Sequence, residues 1–428
     1  MNRMDSGAMR QLGFDPAEPR TALAQLPPSR AVFALYGAEA HTEPYIGVTP
    51  NLRGRLERLL QPSARHPRRL QLAARVRRIA WLPAGSEFEA LLAQFSLLEA
   101  VFGAKVLERM HLRGPAFVRF LGSNPYPRVA VTHRPSQREA EWAYGPFPSR
   151  AAAERFAEEA LKLFLLRRCT FELAPDPGYP GCVYSEMKMC LAPCYQGCTD
   201  QRYAEEAAAV EQFLATRGES RLVELRGRRD EASARLDFEA AAAAHAQVQR
   251  VEAVRGLAAE LVRPLSRLRA AILQLAAEPD EVKVFLFEGG RLRGPAAFST
   301  LGMRIQNELS GSSSLFAHPM TIEPVPLETP EAAEGPAGGP APVKIARGVM
   351  ESRMEVALAG LAEDATPGSA VLRQGHLALL RRWYYRPQGR RAGEIFFPDA
   401  EGRWPLRAML RGAGRVMASH FKPAAGDF

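Results

Sequence analysis

Every cysteine in this chain falls between positions 169 and 198. They are Cys169, Cys182, Cys190 and Cys194, with Cys198 just beyond. Twelve residues separate the first pair, seven the second and third, and three the third and fourth. Such clustering marks either a disulfide framework or a metal site. Disulfides suit small secreted domains. This chain has 428 residues and opens on MNRMDSGAMRQLGFDPAEPR, which holds no apolar signal segment. A reducing cytoplasm is therefore expected, where thiolates hold zinc or an iron–sulfur cluster. The plainer reading is free thiols packed in a core.

A second chemistry is phosphate contact. Net charge is +9, and arginine greatly outnumbers lysine. Between Arg53 and Arg78 there are nine arginines (Arg53, Arg55, Arg58, Arg65, Arg68, Arg69, Arg75, Arg77 and Arg78) against one acid, Glu57. A solvated helix face normally mixes signs. Guanidinium groups grip phosphate bidentately, so this segment reads as a nucleic-acid contact.

The elements that must position these groups follow from length and periodicity. The chain is too long for one ordinary core, so several domains are expected, of multidomain α/β class. No apolar run reaches about 18 uninterrupted residues, so no membrane span is expected. Residues 1–26 read as a flexible leader. Residues 27–110 read as a small α/β unit with strands AVFALY, YIG and RRIAWLP. In it a helix starts near Pro50, capped by Thr49, and a second helix covers EFEALLAQFSLLEAVFG. Residues 111–200 hold two strands, the turn YGPFPS, and a helix running directly into the cysteines. Residues 201–264 read as a pair of helices. Residues 265–322 form a small α+β segment with a hairpin turned at Glu288-Gly289-Gly290. Residues 323–344 are an acidic Pro/Gly-rich linker, and 345–428 a mixed α+β region. There Trp383, Tyr384 and Tyr385 lie among Arg381, Arg382 and Arg386. That run is either a base-stacking surface or half core and half rim.

Three stretches together resemble the UvrC and Cho-type excinuclease family. AVFALYGAEAHTEPYIGVTPNLRGRL is similar to the GIY-YIG nuclease signature. The cysteine spacing, ending in APC, is similar to the family's. ASARLDFEAAAAAHAQVQRVEAV resembles the UVR helical hairpin. The resemblance covers roughly residues 27–300. It implies DNA as a ligand, UvrB as a partner through the hairpin and UvrA indirectly. It also implies a [4Fe–4S] cluster on Cys169, Cys182, Cys190 and Cys194, which the spacing alone does not separate from zinc. Neither an RNase H-like carboxylate set nor a helix-hairpin-helix module is legible toward the C-terminus.

The nuclease signature departs from the family at its chemical positions. The family implies a tyrosine handling the proton of the attacking water, a glutamate holding Mg²⁺ or Mn²⁺, and an arginine on the phosphate. Tyr45 and Arg55 are retained. The first tyrosine's position is Phe33, which has no hydroxyl. The lysine position is Val48. The glutamate position is Gln94, a weaker ligand for a hard cation. Tyr36 points to the other face of the strand, and Glu89 and Glu99 lie about 140° around the helix, so none is a ready substitute. A degenerate, weakly cutting or inactive nuclease is the expected reading. A working Cho-like endonuclease cutting 3′ to a lesion, and an iron–sulfur redox sensor on DNA outside repair, are the alternatives. On the hairpin, Leu236, Phe238, Val248 and Val251 are the expected partner contacts. The family's Arg-Asp pair is His245-Ala246 here.

Overall fold

A strand as apolar as AVFALY needs cover on both faces. The computed structural model describes residues 9–39, 42–60, 72–136, 138–301, 346–363 and 368–420. Arg65, Arg68, Arg69 and the linker 323–344 lie outside the described residues. The first sheet is antiparallel, in the order β1-β4-β2-β3, from β1 (Arg10–Gly13), β2 (Ala31–Tyr36), β3 (Tyr45–Thr49) and β4 (Arg78–Pro83). Helices α1 (Pro19–Ala24) and α2 (Leu52–Leu60) pack on the face carrying Ala31, Phe33 and Leu35. Helix α3 (Glu87–Phe102) packs on the face carrying Val32 and Ala34.

Two expectations change here. Residues 10–26 are not a leader: β1 pairs along β4, and Phe14, Leu23 and Leu26 are buried in the core under α2. The pairing removes an open edge from β4. Thr49 is not the cap of α2 either. Asn51 immediately precedes the helix, and its Oδ1 accepts the Gly54 N–H at 2.9 Å, while Thr49 Oγ1 accepts the Asn51 N–H at 3.2 Å. Only the residue next to the helix reaches its third amide.

After a short helix α4 (Val106–Arg109), the second sheet has the order β6-β5-β7-β8, from β5 (Ala116–Phe120), β6 (Val129–Thr132), β7 (Ala143–Phe147) and β8 (Arg263–Pro264). The segment expected as a turn, YGPFPS, supplies most of β7, which is buried throughout and pairs with β5 and β8. Helix α5 (Arg150–Leu161) starts at Ser149, whose Oγ accepts the Ala152 N–H. It stops well short of the cysteines. The Leu165 N–H goes to Glu206 at 2.7 Å and the Arg167 N–H to the Tyr203 hydroxyl at 3.3 Å, so long-range acceptors replace helical ones. A one-turn helix α6 (Val183–Glu186) lies inside the cysteine loop.

The expected helix pair is three helices: α7 (Asp200–Ala215), α8 (Glu219–Ala234) and α9 (Phe238–Gly256). The break falls at Arg217 and Gly218, with φ of 54° and 81°. Glycine suits that left-handed position, and a Cβ there would come within 2.9 Å of the Arg255 side chain. All three helices pack with α5 in one core around Phe147, Phe156, Phe213, Leu222 and Val251.

The third sheet has the order β11-β10-β9-β12, from β9 (Ala270–Leu275), β10 (Glu281–Glu288), β11 (Arg291–Ser299) and β12 (Glu394–Phe396). The β10–β11 turn is at Gly289 and Gly290, both with positive φ, as a two-residue hairpin requires. Because β12 pairs with β9, residues 265–301 and 346–420 build one unit rather than two separate segments. The reason is that β9 and β10 are apolar on both faces. Helices α10 (Arg347–Ala362) and α12 (Leu406–His420) cover Leu273 and Val284. Helix α11 (Ala370–Tyr384) and α3 cover Ile272 and Phe285.

Thus α3 serves two cores, one in the first unit and one in the third. By length and composition the stretch Glu87–Arg109 is apolar enough to cross a membrane. Its Phe88, Leu92, Phe95 and Leu98 are instead packed against Phe285, Leu377 and Trp383. In the Trp-Tyr-Tyr run, Trp383 is buried and the two tyrosines are partly so. Trp383 Nε1 donates to the Ala392 carbonyl at 2.8 Å and the Tyr385 hydroxyl to Pro146 at 2.8 Å. Arg386 forms a two-bonded pair with Glu87 at 2.6 and 2.8 Å, which holds the Glu87 carboxyl below its usual range. These side chains join α11 to the rest of the chain and leave no stacking surface on Trp383.

Candidate functional site

The cysteine loop is fastened at its root. Arg167 is buried; its Nε donates to the Tyr126 carbonyl at 2.9 Å and its Nη1 to the Phe171 carbonyl at 2.9 Å. The same Nη1 lies 3.6 Å from Cys169 Sγ. Nothing in the sequence separates the buried Arg167 from its neighbour Arg168. The far end closes through the Asp176 N–H on the Cys194 carbonyl at 2.9 Å and the Leu191 N–H on Leu165 at 3.0 Å. Between them Lys188, Ala192 and Gln196 adopt positive φ of 54°, 54° and 61°. Left-handed backbone costs such residues about 1–2 kcal/mol each and persists only where the surroundings impose it.

All five cysteines are free thiols, with Cys194 buried and the others partly so. Burial first, then the neighbouring Cys169, Cys194 and Cys182, pushes the Cys190 thiol up to about 11. Burial, opposed by the Tyr195 N–H and reinforced by Cys182 and Cys169, raises Cys194 as well. Cys190 Sγ accepts the Ala192 N–H at 3.3 Å. Among the described residues, no three His, Cys, Asp or Glu side chains are placed to hold a single metal ion. By donor chemistry alone, four thiols are the soft ligand type of a thiolate-bound centre; the Ala192 N–H reaches Cys190 Sγ and the Arg167 guanidinium reaches Cys169 Sγ.

The nuclease-signature residues divide between the two faces of the first sheet. Phe33 lies opposite Gly47 across β2 and β3. It is 1% exposed, and its ring fills the space a Cβ on Gly47 would need, 2.8 Å away. Tyr45 is beside it, ring centroids 6.0 Å apart, and is 42% exposed. Arg55 is on α2 over the same face and has no side-chain ion pair among the described residues. Val48 packs on the opposite face with α3, the helix carrying Gln94. The structure therefore brings Phe33 and Tyr45 together and sets Val48 and Gln94 on the other side of the sheet. Of the described arginines, Arg53 Nε is tied to the Leu26 carbonyl at 2.7 Å and Arg58 Nε to Gly54 at 2.9 Å.

Glu89 does not stand in for Gln94. It is buried, and its Oε2 accepts the Gly85 N–H at 2.8 Å. Burial pushes its carboxyl from 4.5 up to about 7. The folded chain thus keeps the proton through a range where the unfolded chain has released it. Rising pH between about 4.5 and 7 therefore favours unfolding, and the penalty is complete above about pH 7. Glu89→Gln keeps the acceptor and removes the charge. It is expected to raise stability by up to about 3 kcal/mol above pH 7 and to change little near pH 4. Urea unfolding at the two pH values checks this; equal effects at both would contradict it.

The hairpin contacts also divide. Leu236 and Phe238, at the α8–α9 turn, are 72% and 70% exposed. Asp237 between them caps α9, its Oδ1 accepting the Ala240 N–H at 3.0 Å. Val248 and Val251 are buried in the chain's own core and are not available to a partner. Both lie on the α9 stripe that faces inward, a side that helical spacing alone does not assign.

The family described as UvrC/Cho excinuclease, middle domain, matches residues 117–213, which run from β5 through the cysteine loop into α7. The UvrABC system protein C of Aromatoleum aromaticum is 28% identical over 296 residues, covering 67% of this chain and 48% of that protein. The UvrABC system protein C of Rhodospirillum rubrum is 26% identical over 304 residues, 69% and 47% of the two chains. That of Alcanivorax borkumensis is 28% identical over 210 residues, 49% and 34%. This chain spans about half or less of the length of these curated relatives. No solved structure matches it. By these matches the chain is similar to UvrC-type proteins, and residues 117–213 are similar to the UvrC/Cho middle domain.

Proposed function

We propose that this chain acts in nucleotide-excision repair as a DNA- and UvrB-binding protein whose nuclease-like unit does not cut. Phe33 carries the reading. A buried phenyl ring occupies the place of the family's first tyrosine and offers no group to move a proton. Gln94 adds a neutral amide where a divalent cation would need a carboxylate. Loss of one such group costs about 10²-fold or more. DNA would lie over the α2 face, on Arg53, Arg55 and Arg58, in the cytoplasm. UvrB would seat Leu236 and Phe238 and link the chain to UvrA. Cys169, Cys182, Cys190 and Cys194 would hold a [4Fe–4S] cluster, with zinc as the alternative. Such a centre would fix the loop between Thr170 and Pro193.

The retained Tyr45 hydroxyl, and Arg55 without an ion pair among the described residues, favour a second reading, a working endonuclease using Mg²⁺ or Mn²⁺. The DNA arm is tested by duplex binding as salt is raised. Arg55→Ala with Arg58→Ala is expected to lower the slope of log K against log salt by about 2, near 0.9 per lost phosphate contact. An unchanged slope would remove α2 from the interface.

A further inference from the structure

A cleft of about 760 Å³ opens between α5 and the base of the α8–α9 hairpin, away from the exposed tip. Its floor is aliphatic; Leu163, Ala253 and Leu257 are its solvent-accessible apolar residues, over the buried Leu225, Val251 and Val254. Its walls are basic. Arg155 and Lys162 stand on the α5 side, Arg221 and Arg250 on the hairpin side. Glu159 is the one acid among the lining residues, and it is paired with Lys162 at 2.7 Å. Arg221 is held by Glu224 at 2.6 Å. Arg155 and Arg250 have no carboxylate partner among the described residues, one on each wall.

We infer that this cleft receives an acidic amphipathic helix of a partner protein. An apolar floor between two cationic walls matches a helix with an apolar stripe and carboxylates on both flanks. Charge complementarity selects that occupant over a basic or neutral helix. A nucleic-acid strand fits less well, because no aromatic ring lines the cleft to stack a base. This surface is separate from the tip residues Leu236 and Phe238 and does not depend on the role proposed for them.

The probe is a synthetic peptide with leucines along one helical face and glutamates on its two flanks, followed by fluorescence anisotropy on the full chain. Binding is expected, falling on the order of tenfold in Arg155→Glu with Arg250→Glu and staying unchanged in Phe238→Ala. Binding by the unaltered chain should weaken as salt rises, and the same peptide with lysines for glutamates should not bind. These two measurements need no variant and hold if the double variant folds poorly. Failure of the glutamate peptide to bind, equal binding of the lysine peptide, or a single-stranded oligonucleotide competing for the cleft in its place would overturn the inference.

Discussion

Cys190→Ser is expected to abolish the proposed metal binding and to loosen the whole loop between Arg167 and Thr199. Cys190 is flanked by the Ala192 N–H on its sulfur and lies within the electrostatic reach of Cys169, Cys182 and Cys194. Structural thiolate centres contribute on the order of 10 kcal/mol of apparent binding energy to folding. Here Lys188, Ala192 and Gln196 hold left-handed backbone that the centre would help to keep. Losing one of four ligands should therefore cost several kcal/mol locally and raise amide exchange throughout the loop. Metal and acid-labile sulfide analysis of the native chain gives equal iron and sulfide for a cluster and zinc alone for the alternative. Cys198→Ser is expected to keep the metal, because the four proposed ligands, Cys169, Cys182, Cys190 and Cys194, remain. A native chain with neither metal, or a Cys190→Ser chain as stable as its parent, would reduce these thiols to packing.

The second large effect is expected at the hairpin tip. Leu236→Ala with Phe238→Ala should weaken the proposed UvrB binding on the order of a thousandfold, from about 2 kcal/mol for each exposed anchor. Both side chains are solvent-exposed, so thermal stability should barely change. Val248→Ala should do the reverse. It would leave a cavity in the core with Phe213 and Leu222, lowering stability by about 1 kcal/mol or more without touching the binding surface. Titration of UvrB by calorimetry, with urea unfolding alongside, separates the two. Equal binding by the tip variant would assign Leu236 and Phe238 no partner.

What was legible in the sequence is what short-range spacing encodes. The cysteine intervals, the AVFALY and YIG strands, the Glu87–Phe102 helix and the Gly289-Gly290 turn all carry local signals. The misses came from distant partners. β1 and α1 read as loose because RQLG and PRTALA are short and weakly patterned, and only pairing with β4 and packing against α2 give them a place. YGPFPS reads as a turn by its Gly and Pro, yet β5 and β8 on either side make it a strand. Helix α5 ends early because Glu206 and Tyr203, about 40 residues on, take the amides that would have continued it. The pairing of β12 with β9 spans more than a hundred residues and leaves no periodic trace. At the candidate nuclease site, Phe33, Val48 and Gln94 were legible as substitutions. Their division between two faces of one sheet was not, because strand parity places Phe33 and Val48 only once the register is known. The basic cleft was equally hidden, since Arg155 and Arg250 are nearly a hundred residues apart.

The most direct test of the central claim is incision of a lesion-bearing duplex with UvrA, UvrB, ATP and Mg²⁺ or Mn²⁺, read on a sequencing gel beside a retention assay. This chain is expected to stay on the UvrB–DNA complex and to leave both strands whole. Cutting a few nucleotides 3′ of the lesion that disappears in Arg55→Ala would contradict it and establish an active endonuclease.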